Sequence, residues 1–73
     1  MPEYAFRRLG EAPGSEETRF LPDDEGAVAV GERLVGPDSP QIAVARVTPD
    51  ATQLLGCWTW DGGSRRWRNA AGT

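Results

Sequence analysis

Residues 53–69 run Gln53-Leu54-Leu55-Gly56-Cys57-Trp58-Thr59-Trp60-Asp61-Gly62-Gly63-Ser64-Arg65-Arg66-Trp67-Arg68-Asn69 and read as a β-hairpin. Gln53 to Asp61 forms one strand and Arg65 to Asn69 the return strand. Gly62-Gly63 makes the turn, because a tight two-residue loop needs positive φ and glycine adopts it without steric cost. In that register Trp58 faces Trp67 and Trp60 faces Arg65. Leu54, Trp58, Trp60 and Trp67 then share one face, and Cys57, Thr59, Arg66 and Arg68 the other. A three-residue loop over Asp61 to Gly63 would slip the pairing by one and carry Trp67 to the face of Cys57.

Upstream, nine glycines and six prolines cut the 73-residue chain into pieces too short for an ordinary helix. Tyr4 to Leu9 reads as a first strand and Thr18 to Leu21 as a second, stopped by Pro22. Gly10 to Glu17, with Pro13-Gly14-Ser15, reads as a loop. Asp23-Asp24-Glu25-Gly26 reads as an acidic turn. Ala27 to Val35 reads as a strand with Val28, Val30 and Leu34 on one side, weakened or bent at Gly31. Gly36 to Pro40 is a turn. Ile42 to Val47 is the clearest β-branched run, and Thr48-Pro49-Asp50-Ala51 fits a type I turn. The expected class is therefore all-β, one domain over residues 1–73. The architecture expected first is a small SH3-like barrel of five or six short antiparallel strands, since closure removes sheet edges. An open antiparallel meander or sandwich comes second.

A chain this short buries only about 60% of its unfolded surface, so its core is thin and outside support is valuable. A single cysteine excludes an internal disulfide, and the absence of histidine leaves carboxylates alone for a metal. Oligomerisation stays open as the stabiliser. No apolar run approaches the roughly 20 residues needed to cross a bilayer. The start of the chain lacks the basic and apolar regions of a signal peptide, which makes a cytoplasmic setting the default, or a virion if the gene is phage-borne. The net charge of −3 is uneven: residues 1–60 hold five arginines against ten acids, and residues 61–73 hold three arginines against one. Every basic residue is arginine, which a GC-rich coding sequence explains more simply than selection for bidentate recognition.

No constellation of catalytic residues emerges. Cys57 lies mid-strand with no base to lower its pKa, so it reads as packing. A Ser-His-Asp arrangement is impossible without histidine. The acidic turn lacks the alternating oxygen ligands and distant glutamate of a calcium loop. Gly31 and Gly62-Gly63 lack the spacing and following helix of a phosphate loop. What stands out is Trp58, Trp60 and Trp67 interleaved with Arg65, Arg66 and Arg68. Such a pattern can stack single-stranded nucleic acid on rings flanked by cations, but the acidic remainder of the chain opposes it, and so small a core needs the rings.

Val30-Gly31-Glu32-Arg33-Leu34, followed by Ile42 to Val47 and Leu54 to Trp60, resembles the opening and following strands of small bacterial SH3-like proteins of unknown function. Trp60-Asp61-Gly62 followed by Trp67 is similar to Trp-Asp-Gly hairpins of some phage tail proteins. Neither resemblance implies catalytic residues.

The function expected is a non-catalytic protein-interaction module, an accessory subunit or a small phage-type structural or inhibitory protein. It would use no cofactor and would bind a protein partner or a second copy of itself. Trp60, Arg65, Arg66 and Arg68 are the expected partner-binding residues, Trp60 serving with Arg65 as a hot spot. The alternative is single-stranded nucleic-acid binding by the same hairpin. An enzyme using carboxylates or a hard metal comes third.

Overall fold

The computed structural model describes residues 1–10 and 16–70. Strand β1 (Glu3–Arg8) is followed by β2 (Glu16–Phe20), helix α1 (Asp24–Leu34), β3 (Gln41–Val47), β4 (Thr52–Asp61) and β5 (Ser64–Asn69). All neighbouring strands are antiparallel, in the order β2-β1-β3-β4-β5. The mainly-β class and five antiparallel strands are thus as expected. The open arrangement, expected second, is the one found: β2 and β5 each pair on one side only, and α1 lies across β3 and β4. Pro13-Gly14-Ser15, read as part of a loop, lies outside the described residues.

One expected strand is a helix. Asp23 has extended backbone and its side chain accepts from the Gly26 amide at 2.8 Å, an N-cap. Asp24 and Glu25 occupy the first turn and Arg33 the last, each complementing the helix dipole. The acidic stretch taken for a turn is therefore a helix start. Ala27 and Gly31, four residues apart, form the buried face, with Leu34 partly buried beside the core. The alternating valines that suggested a strand flank that face.

Gly31 does not bend a strand; it sets how closely α1 lies on the sheet. A Cβ there would come within 2.7 Å of Val44 Cγ2 and 2.8 Å of Trp58 Cδ1. The core between the two layers holds Tyr4, Phe6, Ala27, Val35, Ile42, Val44 and Trp58, with Leu55, Trp60 and Trp67 packed against it. Helix and sheet are therefore joined by large rings meeting small helical residues, an economical core for so short a chain.

The terminal hairpin adopts the two-residue register. Trp58 pairs with Trp67 and Trp60 with Arg65, and the turn glycines have φ of 57° at Gly62 and 103° at Gly63. Leu54, however, is not beside the tryptophans. The pairing of β3 with β4 shifts between Val44 and Ala45, so that Val44 faces Gly56 while Ala45 faces Leu54. Leu55 is the extra residue of this β-bulge. It takes the inward place, and Leu54 turns to the far face, where it is 53% exposed.

Candidate functional site

The sheet has two unlike faces. Under α1 lie Tyr4, Phe6, Ile42, Val44 and the three tryptophans. Trp58 donates its indole N–H to the Val28 carbonyl of α1 at 2.8 Å, and its ring sits 5.5 Å from that of Trp67. At the other end of this face the Tyr4 hydroxyl donates to Asp24 at 2.6 Å. Arg46 bridges the same carboxylate at 3.3 Å and Gln53 at 2.7 Å. Burial, reinforced by the Asp24 hydrogen bond and charge, pushes the Tyr4 phenol up to about 12. This network ties the first turn of α1 to the sheet, and it uses the one acidic residue of that turn that faces a cation.

The four residues expected to bind a partner are divided between the faces. Trp60 is half-buried on the helix side, with the Arg65 guanidinium 5.3 Å from its ring centroid. Arg66 and Arg68 pair with Thr59 and Cys57, and all four lie on the far side. The register places them there, because neighbouring strand residues point to opposite faces. A base stacked on Trp60 would therefore be separated by the sheet from Arg66 and Arg68. Arg66 is 3.5 Å from the Asp61 carboxylate, on an exposed pair.

The far side carries a different set of residues. Ala43, Ala45, Cys57 and Leu54 form its centre, Ala5 beside them is buried among neighbouring side chains, and Leu9 and Phe20 lie toward the rim, the latter 65% exposed. Two shallow adjoining depressions run over it and share Leu9 and Cys57. No described element covers it, since α1 lies on the opposite side. Compared with known proteins, the chain matches no family model, no curated protein and no solved structure.

Sequence reasoning passed over Ala5, Ala43, Ala45 and Leu54. The first three had a usable signal. In Ile42-Ala43-Val44-Ala45 large and small apolar residues alternate, so a strand with a deeply packed side also presents a small-residue apolar side rather than a polar one. Leu54 had none, because the bulge that turns it outward has no mark in its own side chain.

Among the described residues no three potential metal-ligating side chains come together, and no helix is long and apolar enough to cross a membrane.

Proposed function

We propose that the protein is a non-catalytic interaction module that binds protein through the uncovered face of its sheet. The observation that carries this reading is the apolar centre of that face, Ala43, Ala45, Cys57 and Leu54, with nothing described above it. A contiguous apolar surface with a charged rim, here Arg7, Glu16, Arg66 and Arg68, is the usual anatomy of a protein-binding patch. The chemistry of the residues supports the same reading. The chain has no histidine to act as base for Cys57, and the Asp24 carboxylate is engaged by Tyr4 and Arg46. Of the four residues expected to bind a partner, Arg66 and Arg68 lie on this face and serve as its rim in this reading, whereas Trp60 and Arg65 belong to the helix side.

Ala45→Arg tests this reading. The substitution projects a cation from the centre of the face into solvent, so the melting temperature stays within a few degrees of the parent. Self-association seen by light scattering, or retention of a defined partner from native lysate, is expected in the parent and lost in the variant. A parent that is strictly monomeric and retains nothing, or binding that Ala45→Arg leaves unchanged, overturns the proposal.

A further inference from the structure

We infer that the occupant of the uncovered face is a second copy of this chain, packed sheet to sheet about a two-fold axis running along β3. The inference rests on the reading of that face as an interaction surface and names its partner.

The strand registers carry the argument. Glu16 faces Arg7, Arg7 faces Ala43, Ala43 faces Cys57, and Cys57 faces Arg68. These five residues form one continuous row across the uncovered side, with Glu16 beside Arg7 toward the β2 end, Arg68 at the β5 end and alanine at the centre. A parallel row runs Thr18, Ala5, Ala45, Leu54. A two-fold axis along β3 reverses each row upon itself. Arg68 of each copy then lies above Glu16 of the other, and the contact occurs twice. Ala43 and Ala45 face their own counterparts, and the exposed Leu54 lies over the small Ala5. Packed sheets sit about 10 Å apart, a gap that an arginine and a glutamate side chain together span.

Charge selects this axis over the other two-fold that keeps the strands of the two sheets aligned. An axis perpendicular to the strands would keep their order and lay β5 on β5, bringing Arg66 and Arg68 of both copies together. Neither Glu16 nor Arg68 is in an ion pair among the described residues, although Glu16 has Arg7 as its cross-strand neighbour.

Area sets the strength. With strands about 4.8 Å apart and about 3.3 Å per residue, the face measures roughly 24 by 20 Å, or about 500 Å² per copy. The total, about 1,000 Å², is at the lower edge of specific interfaces, the size class of weak, reversible contacts. Cys57 lies one strand off the axis, so the two Cys57 residues are too far apart to join as a disulfide.

Sedimentation equilibrium of the full chain, with charge-swapped variants, tests the arrangement. The parent is expected to dimerise reversibly, more weakly as salt rises. Glu16→Arg and Arg68→Glu, both at exposed positions, each place two like-charged pairs in the interface and weaken the dimer about 10- to 100-fold. The double variant restores opposite charges and recovers affinity to within a few-fold of the parent. A dimer indifferent to the single swaps, or a double variant no better than either single, overturns the inference. So does a parent that stays monomeric at millimolar concentration. If that monomer still retains a partner that Ala45→Arg loses, the second copy is excluded and the interaction surface stands; if it retains nothing, both fall.

Discussion

The Trp58 indole N–H points at the Val28 carbonyl from 2.8 Å, so a strand side chain hydrogen-bonds to the backbone of the helix that covers it. The contact fixes the position of α1 along β4 as well as its distance from the sheet. Trp58→Phe keeps an aromatic ring but removes the donor and part of the volume. The expected loss is about 2–3 kcal/mol, from one hydrogen bond of about 1 kcal/mol and incomplete refilling of the space. Urea unfolding followed by far-ultraviolet circular dichroism measures it.

Gly31 sits beside that contact. Adding a methyl group improves helix propensity by about 1 kcal/mol but overpacks the interface by about 1–3 kcal/mol. Gly31→Ala is therefore expected to be destabilising by about 1 kcal/mol net. Gly31→Val combines more bulk with no propensity gain over alanine and is expected to lose about 3 kcal/mol or more. If Gly31→Ala instead stabilises in the same urea assay, α1 does not lie as close to Trp58 as described.

Gly56 poses a steeper barrier. A Cβ there would lie 2.5 Å from the Arg68 carbonyl oxygen and closer still to Trp67 Cζ2. Gly56→Ala must displace both a ring and the β5 backbone, so the loss is expected at about 3 kcal/mol, the upper end for overpacking. Combining it with Trp67→Ala relieves only the ring contact and does not restore stability. Tryptophan fluorescence during denaturation reads the parent and Gly56→Ala, and circular dichroism reads all three proteins.

Tyr4 gives the protein an alkaline limit. Its phenol titrates near 12 in the fold against an ordinary value of 10, so the native state holds this proton more tightly than the unfolded chain does. The stabilisation is complete below pH 10 and is lost as pH rises toward 12. Tyr4 is the only tyrosine, so the ultraviolet signal of phenolate formation reports on it alone. Spectrophotometric titration should give a midpoint near 12 in the folded protein and near 10 in denaturant. A folded midpoint at 10 would mean that the Asp24 contact and the burial are not maintained in solution.

Asp23 is the smallest of these tests. Asp23→Ala leaves the Gly26 amide without its side-chain acceptor and is expected to destabilise by about 1 kcal/mol, while Asp23→Asn retains most of the cap. Thermal denaturation of the pair distinguishes the hydrogen bond from a general effect of charge.

Much of the sheet was legible because its signals are local. Gly62-Gly63 sets the turn of the last hairpin, and period-two alternation then fixes Trp58 opposite Trp67. Ile42 to Val47 has no competing reading. The helix was concealed because Val28, Val30 and Leu34 satisfy a two-residue period while Ala27 and Gly31, the residues that touch the sheet, carry little hydrophobic signal. The correct signal was the cap: aspartate at position 23 followed by two acids. The candidate site was half legible. The hairpin register did separate Arg66 and Arg68 from the tryptophans, but the surface they rim is built mainly of alanines from β1 and β3, and small residues announce a face only once the pairing of strands is known.

The bulge at Leu55 gives β4 a different role at each end. Toward Thr52 the strand shows its leucine to the outside, and toward Asp61 it sends its indoles beneath the helix. Loss of that single codon would restore an unbroken pleat with Leu54 still opposite Ala45 on the outer side, leaving strand order and hairpin untouched while removing the leucine that packs inward. The count of residues in one strand thus sends its two adjacent leucines to opposite sides of the sheet, and a one-residue deletion would thin the interior while leaving the outer surface as it is.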